Sequence, residues 1–233
     1  MALIELQGIK KTFKMGTELI RALDNISISV KQGEFMSIIG PSGSGKSTLM
    51  NILGLLDMPD SGSYLLDEIP VHTMSDNDRA NLRNKKIGFV FQTFNLLPRA
   101  SALRNVEMPL VYSASYDRSY SKKNIRQLAL EAIEQVGLKD RMHHKPNELS
   151  GGQRQRVAIA RSIVNKPSIL FADEPTGNLD SKTGAEILAL FKKLNSAGTT
   201  LIIVTHEQEI ATVAERVITI RDGKIVGDQH ATA

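Results

Sequence analysis

The feature that most restricts the fold of this chain is a glycine-rich loop that joins a predicted buried strand to a predicted helix. The loop reads GPSGSGKST over residues 40–48. It follows the apolar stretch FMSIIG at 35–40 and runs into a helix predicted from Lys46 to about Gly54. A strand, a Gly-x-x-x-x-Gly-Lys-Ser loop and a helix in this order form the phosphate-binding unit of many α/β proteins. A chance Gly/Ser-rich turn is the alternative, and the flanking strand and helix argue against it.

The residues of this loop suit the chemistry of a nucleoside triphosphate. Glycines allow backbone N–H groups to curl around phosphates, and the helix N-terminus adds the positive end of its dipole. Lys46 is predicted to reach the β- and γ-phosphates, and the Ser47 hydroxyl is predicted to bind Mg²⁺. The other residues of the predicted nucleotide loop are Gly40, Pro41, Ser42, Gly43, Ser44, Gly45 and Thr48.

Continuous apolar strands alternate with helices along most of the chain. We predict strands at residues 3–7, 25–30, 35–40, 87–92, 168–173 and 199–206, helices at 46–54, 124–136, 151–165 and 185–195, and a hairpin at 216–228 that turns at Asp222-Gly223. Buried strands that alternate with helices are typical of a mostly parallel sheet covered on both faces. Residues 95–161 interrupt the alternation and are predicted to be mainly helical.

These patterns predict the α/β fold class, with a single nucleotide-binding domain over residues 1–233. We expect a P-loop NTPase core with a mostly parallel sheet at about 1–94 and 162–233. An antiparallel β subdomain belongs to this predicted architecture, and a helical lobe at about 95–161 is inserted into the core.

Composition excludes several other kinds of protein. The chain has no cysteine, which rules out a disulfide framework, and its five histidines are not spaced as a metal site. The net charge of +4 comes from 29 basic and 25 acidic residues mixed along the chain, so we expect no nucleic-acid partner. The N-terminus lacks the apolar region of a secretory signal, and no apolar run approaches the roughly 18 residues of a membrane span. We therefore expect a chain that is soluble by itself.

Two carboxylates end another predicted buried strand. The stretch ILFADE at 169–174 places Asp173 at the strand end and Glu174 one residue beyond it. Asp173 is predicted to hold Mg²⁺ through bound water, and Glu174 is predicted to polarise an attacking water as general base. A turn or capping carboxylate is the alternative because Pro175 follows, but the phosphate loop in the same chain favours catalysis.

The stretch LSGGQ at 149–153 narrows the class of nucleotide-binding protein. Together with the phosphate loop and the acidic strand, it resembles the ATPase subunits of ABC transporters over nearly the whole chain. The resemblance implies ATP and Mg²⁺ as cofactors and a head-to-tail homodimer that forms on ATP, in which the signature helix of one copy covers the γ-phosphate bound by the other. The contacts implied are Ser150, Gly151, Gly152 and Gln153. A plain helix cap explains Ser150 but not two glycines, which destabilise a helix.

Four further positions match this family. Gln92 resembles the glutamine that touches Mg²⁺ or the attacking water, and His206 resembles the histidine that hydrogen-bonds the γ-phosphate. Asp180 lies in the stretch NLD at 178–180, which resembles the loop that contacts the opposite subunit. Phe13 stands where the family has an aromatic residue, more often Tyr, that stacks on adenine; ordinary packing of this ring is the alternative. The predicted catalytic residues are Lys46, Gln92, Glu174 and His206, and the predicted metal ligands are Ser47, Gln92 and Asp173.

Longer stretches resemble one branch of the family, which serves macrolide export, lipoprotein release and antimicrobial-peptide export. Among them are IGFVFQTFNLLP at 87–98 and ADEPTGNLDSKTG at 172–184. The branch implies an integral membrane permease as partner, a periplasmic adaptor in some systems, and a peripheral position on the cytoplasmic face of the inner membrane. The stretch RASALRNV at 99–106 departs from the branch by adding Arg99 and Arg104 to the segment that faces the permease.

Other classes of protein share parts of this pattern. Chromosome-maintenance ATPases insert long coiled coils between loop and signature, for which the stretch from Lys46 to Leu149 is too short. Translation-associated ATPases usually carry two such domains in one chain. The preferred hypothesis is an ATP-hydrolysing motor subunit for export or extraction of a lipid, lipoprotein, peptide or drug. A cell-division-type regulatory ATPase, which signals through its permease without moving a solute, is the alternative.

Overall fold

The computed structural model describes residues 2–230, and this part divides into two compact units. Unit 1 contains residues 2–80 and 198–230, and unit 2 contains Asn81–Ala197. The strands are β1 (Ala2–Met15), β2 (Glu18–Lys31), β3 (Phe35–Ile39), β4 (Ser61–Leu66), β5 (Ile69–Pro70), β6 (Ile87–Phe91), β7 (Ile169–Asp173), β8 (Thr200–Val204), β9 (Arg216–Arg221) and β10 (Lys224–His230). The α-helices are α1 (Lys46–Leu53), α2 (Asp76–Lys86), α3 (Ala102–Ser113), α4 (Lys122–Gln135), α5 (Gly151–Ile163), α6 (Ser181–Ser196) and α7 (Gln208–Ala211).

Unit 1 contains an antiparallel sheet with the strand order β2-β1-β4-β5. β1 and β2 form a long hairpin in which Phe13 lies opposite Ile20. The half of β2 near Val30 alternates buried and exposed side chains, and this alternation is the signal behind the strand predicted at 25–30. The half near the turn is exposed and shows no alternation, so the predicted strands are shorter than the observed ones.

Unit 1 also contains a second set of strands in the order β10-β9-β3-β8. β3 pairs in parallel with β8 and with β9, and the hairpin predicted at 216–228 is present as β9 and β10. All side chains of β8 are buried, as expected of a strand covered on both faces. Because Ile38 pairs with Val204, the phosphate loop after β3 and His206 after β8 leave the same edge of these strands. The carboxyl edge of a parallel sheet is where ligands of α/β proteins bind.

Unit 2 pairs β6 and β7 in parallel, with Phe91 opposite Asp173. Helices α3, α4 and α5 pack against one another, and α5 also contacts β6. The predicted apolar face of α4 is observed: its buried residues are Ile125, Ala132, Ile133 and Val136, and Leu128 is half-buried.

The remaining predicted strands and helices are present, with ends that differ by a few residues. Pattern reasoning missed β4, β5, α2 and α7, and it predicted α3 only as part of the mainly helical segment. In α2 the buried residue is Leu82, among polar neighbours, so the helix presents no apolar stripe that a periodicity could detect. The boundaries of the predicted helical lobe stay a prediction. Within residues 2–230, no helix is both long and apolar enough to cross a bilayer.

Candidate functional site

The phosphate loop is shaped by backbone contacts inside unit 1. Gly40 has φ +154°, and a Cβ atom built on it would lie 2.1 Å from the carbonyl oxygen of Ile220. Gly45 has φ +105°, and its Cβ would lie 2.5 Å from the carbonyl oxygen of Ala22. Both contacts are with main-chain atoms that cannot swing aside. These two glycines therefore allow β2 and β9 to pack directly against the loop.

The turn between β9 and β10 adds hydrogen bonds to this support. The Gly223 N–H donates to the Ser44 carbonyl at 3.0 Å, and the Asp24 N–H donates to the Gly223 carbonyl at 2.8 Å. These main-chain hydrogen bonds fix the loop, and a fixed loop is the condition for a preorganised binding site.

The interior of the loop carries donors suited to an anion. α1 begins at Lys46 after Gly45, and among the described residues no side chain caps its N-terminus and no acidic residue lies in its first turn. Lys46 Nζ donates to the Gly40 carbonyl at 2.7 Å and to the Pro41 carbonyl at 2.9 Å. Ser44 Oγ is buried without a hydrogen-bond partner within residues 2–230. Uncapped N–H groups, a lysine and an orphaned hydroxyl fit a phosphate chain.

Phe13 and His206 also belong to unit 1. The Phe13 ring is 40% exposed and has Lys11 Nζ 5.4 Å from its centroid, so it is available to stack on a base. His206 is exposed after the end of β8. The nucleotide contacts predicted for both residues stay predictions.

Unit 2 brings the predicted catalytic carboxylate and the predicted glutamine together. Gln92 and Glu174 each follow the last residue of a paired parallel strand, since Phe91 lies opposite Asp173. The Gln92 amide nitrogen lies 2.7 Å from the position that a Cβ atom of Gly177 would occupy. The Asn178 side chain donates to the Gln92 carbonyl at 3.0 Å.

Glu174 has a strained backbone. Its φ is +45°, in the left-handed region that non-glycine residues rarely adopt. The turn is closed by the Gly177 N–H, which donates to the Glu174 carbonyl at 3.1 Å. Strain of this kind concentrates at functional sites, where the surrounding structure maintains it.

The signature stretch begins α5 with a reciprocal cap. Ser150 Oγ accepts from the Gln153 N–H at 3.3 Å, and Gln153 Oε1 accepts from the Ser150 N–H at 3.0 Å. Ser150 is exposed, and since its oxygen accepts in this cap, its hydroxyl hydrogen is left to donate elsewhere. Gln153 folds back on its own helix. Its predicted nucleotide contact stays a prediction.

Packing within the chain also favours glycine at the two signature positions, and the sequence did not indicate this packing. A Cβ atom on Gly152 would lie 2.4 Å from Thr183 Cγ2, and one on Gly151 would lie 3.3 Å from Leu179 Cδ2. The glycines let the start of α5 approach the start of α6. Phosphate access, predicted from the sequence, is therefore not the sole reason for the pair.

Asp180 hydrogen-bonds Thr183, the residue against which Gly152 packs. It caps α6 by accepting from the Thr183 N–H at 3.0 Å and from the Thr183 hydroxyl at 2.7 Å. These hydrogen bonds to the carboxylate lower the pKa of Asp180 below its ordinary value. The structure thus gives Asp180 a capping role, and its predicted nucleotide contact stays a prediction.

Sequence reasoning missed the arginines that hold the segment after Gln92. Phe94 and Asn95 both have positive φ, +62° and +48°. Arg161 donates to the carbonyl of Asn95 at 2.6 Å and to that of Phe94 at 2.9 Å, and the Arg154 guanidinium lies 5.0 Å from the Phe94 ring centroid. Burial lowers the pKa of Arg161. The cationic residues of α5 were visible in the sequence, but their acceptors were not.

We expect the substitution Arg161→Lys to lower the free energy of unfolding by about 1–3 kcal/mol, because a lysine cannot reproduce a planar fork to two carbonyls. Urea denaturation followed by circular dichroism measures the change. The matched control is Arg118→Lys at an exposed position between α3 and α4, where we expect a change within about 0.5 kcal/mol. Equal unfolding midpoints for the two variants would show that the hydrogen bonds of Arg161 to Phe94 and Asn95 do not stabilise the fold.

The residues present fit Mg²⁺ in kind. Within residues 2–230, no group of three or more His, Cys, Asp or Glu side chains is arranged to enclose a metal. Mg²⁺ bound with a nucleotide takes one or two protein oxygens and completes its shell with phosphates and water. Oxygen ligands of the required type are present on the predicted residues Ser47, Asp173 and Gln92. The Mg²⁺ contacts predicted for these three residues stay predictions.

Comparison with known proteins identifies the family. The family model described as ABC transporter matches residues 23–177. The ABC transporter ATP-binding protein YvrO of Bacillus subtilis is 52% identical over 228 residues, which cover 98% of this chain and 97% of that protein. The macrolide export ATP-binding/permease protein MacB of Bdellovibrio bacteriovorus is 50% identical over 99% of this chain, but the chain spans only 34% of that protein.

Solved structures confirm the predicted fold class. The dimeric structure of MJ0796, a bacterial ABC transporter cassette, matches with a TM-score of 0.90 and 47% identity over 99% of both chains. A dimeric post-hydrolysis state of MJ0796 bound to ADP and Pi matches equally well, with a TM-score of 0.90 and 46% identity. With the family model and a relative matched over nearly its full length, these likenesses show that the chain belongs to the ABC transporter family, as one of its ATP-binding cassettes.

Proposed function

We propose that this chain is an ATP-hydrolysing motor subunit that pairs with a second copy on ATP and drives a membrane permease. The observation that carries the proposal is that one chain holds two features whose hydrogen-bond donors are suited to phosphate. These are the uncapped start of α1 behind the loop at 40–48 and the exposed Ser150 hydroxyl at the start of α5. The dimers of the cassette MJ0796, one of them with ADP and Pi, support the pairing.

Hydrolysis is proposed as one balanced step. The Glu174 carboxylate takes a proton from water while the water oxygen attacks the γ-phosphorus of ATP. The bond from that phosphorus to the bridging oxygen breaks, ADP leaves, and Glu174 returns the proton to solvent. Lys46, His206 and Ser150 of the partner subunit donate hydrogen bonds to the oxygens on which negative charge develops. The strained turn at Glu174 supports its role, because strain is retained where geometry matters.

The nucleotide and its metal are proposed to be held by residues that lie on the elements described above. The Phe13 ring stacks on adenine, and the backbone N–H groups of 40–48 bind the phosphates. Ser47, Gln92 and Asp173 hold Mg²⁺, which when bound supplies positive charge that stabilises the phosphate oxygens.

The permease is the proposed partner, and export or extraction of a lipid, lipoprotein, peptide or drug is the proposed task. The MacB relatives support it, since each is named as an ATP-binding and permease protein for macrolide export. α3 carries an exposed apolar surface suited to such a partner, formed by Met108, Val111 and Tyr112. Arg104 lies on the same helix and 74% of its side chain is exposed. The proposal includes the cytoplasmic face of the membrane as location and a periplasmic adaptor beyond the permease.

We expect Lys46→Ala to weaken ATP binding by about 10- to 100-fold, the equivalent of the roughly 1.5–3 kcal/mol of a charge-assisted hydrogen bond. Isothermal titration calorimetry at fixed Mg²⁺ measures the affinity. Lys192→Ala, an exposed position on α6, is the matched control and should bind like the wild type. An unchanged affinity in Lys46→Ala would remove the assignment of 40–48 as the phosphate site.

A further inference from the structure

We infer that Gln155 is a positioning residue for Glu174: its side-chain amide holds the backbone turn that presents the Glu174 carboxylate. The inference rests on the proposed function, in which Glu174 is the general base. All the contacts that support it lie within unit 2.

The contact itself is short and buried. Gln155 lies on α5 and is 0% exposed. Its Nε2 donates to the carbonyl oxygen of Pro175 at 2.6 Å. Pro175 is also buried and directly follows Glu174, so this hydrogen bond fixes the peptide group between Pro175 and Thr176, one residue beyond the catalytic residue.

The turn needs support from outside. The β6–β7 pairing extends to Asp173 and the left-handed Glu174 comes immediately after it. A proline has no N–H group, so the carbonyl is the main-chain group through which Pro175 can be hydrogen-bonded. Without the Gln155 amide, that buried carbonyl would lack this donor, and the turn would relax toward a less strained conformation that moves the Glu174 side chain.

The unpaired half of the Gln155 amide argues against a purely structural role. Within the described residues, Gln155 Oε1 is buried without a hydrogen-bond partner, and so is Thr176 Oγ1 beside the turn. An apolar side chain of similar volume would fill the same space and avoid the orphaned oxygen. Within residues 2–230, the hydrogen bond that the Gln155 side chain makes is the one to Pro175, which points to positioning of the turn.

The other side of the turn faces Gln92. The Gln92 amide lies against Gly177, and Asn178 donates to the Gln92 carbonyl. The segment from Glu174 to Asn178 is therefore contacted both by Gln155 on α5 and by Gln92 after the end of β6. α5 is also the helix that Ser150 caps. The helix proposed to bind the partner's nucleotide therefore also sets the position of the general base in its own chain.

The first test is Gln155→Met, which keeps the volume but removes the donor. We expect kcat for ATP hydrolysis to fall about 10- to 100-fold, the loss typical of a misplaced catalytic group, with KM and the calorimetric ATP affinity unchanged. In a Glu174→Gln background, ATP-induced dimer formation should be the same with and without Gln155→Met. The matched control is Gln127→Met at an exposed position on α4, which should leave both kcat and dimer formation unchanged.

The second test is Gln155→Glu. A buried carboxyl has a raised pKa and, when protonated, can donate to the Pro175 carbonyl; when ionised it cannot. Relative to wild type at each pH, the kcat of this variant should therefore be higher at pH 6 than at pH 8.5. A ratio of variant to wild-type kcat that stays constant between these pH values would contradict the donor role of residue 155.

The outcomes separate the inference from its premise. A wild-type kcat in Gln155→Met, or a loss of dimer formation as large as the loss of kcat, would overturn the positioning role. Normal turnover in Glu174→Gln alone would instead overturn the general base and the proposed function with it.

Discussion

Glu174→Gln should lower the rate of ATP hydrolysis by about 10²- to 10⁴-fold while ATP binding stays close to that of the wild type. Glutamine has nearly the same shape as glutamate, so the left-handed turn and the contacts around Gln92 are retained. An amide cannot take a proton from water, so the chemical step loses its base. ATP therefore persists at the dimer interface, and size-exclusion chromatography with ATP and Mg²⁺ should show a stable dimer.

The matched control for this experiment is Glu131→Gln, the same chemical change at an exposed position on α4. It should hydrolyse ATP at the wild-type rate and show no trapped dimer. If Glu174→Gln turned over near normally, or stayed monomeric at saturating ATP, the assignment of Glu174 as base of an ATP-driven dimer would be wrong.

Gly152→Ala should lower ATP hydrolysis by about 100-fold or more, because two effects combine. In its own chain the new methyl group meets Thr183 Cγ2 at 2.4 Å, and overpacking of this kind costs about 1–3 kcal/mol. Thr183 cannot easily move, since Asp180 holds both its N–H and its hydroxyl. In the proposed dimer the same methyl group also keeps the partner's γ-phosphate from the backbone N–H groups of α5. Steady-state ATPase assays measure the combined loss.

Thr183→Ser separates the two effects. Serine keeps the hydroxyl that bonds to Asp180 and removes the Cγ2 methyl that Gly152→Ala would strike. We expect the double variant to recover its thermal stability but only part of its ATPase activity and ATP-induced dimer formation. Complete recovery of activity would mean that Gly152 serves packing within the chain and has no part in phosphate binding. Thr183→Ser alone should behave like the wild type.

The parts of the site that the sequence predicted are contiguous. The loop at 40–48, the carboxylates that end β7 and the cap at Ser150 are each defined by a few neighbouring residues whose chemistry and flanking elements can be recognised together. The buried strands β3, β7 and β8 were equally clear, because a strand covered on both faces is apolar along its whole length.

The parts that the sequence did not predict depend on contacts between distant residues. Nothing near Gln155 indicates that its amide meets the carbonyl of Pro175, and nothing near Arg161 indicates that Phe94 and Asn95 accept its hydrogen bonds. The packing of Gly152 on Thr183 is hidden for the same reason. A polar residue in a helix becomes informative only when the fold supplies its partner.

The hydrogen bonds from Lys46 Nζ to the carbonyls of Gly40 and Pro41 restrict the conformational freedom of this side chain. Ordering a lysine side chain opposes association by up to about 2 kcal/mol. Because these bonds form within the loop itself, part of that loss belongs to folding rather than to the binding of ATP. The ammonium group carries three N–H donors, one more than these two bonds use, so the third can bind a phosphate oxygen.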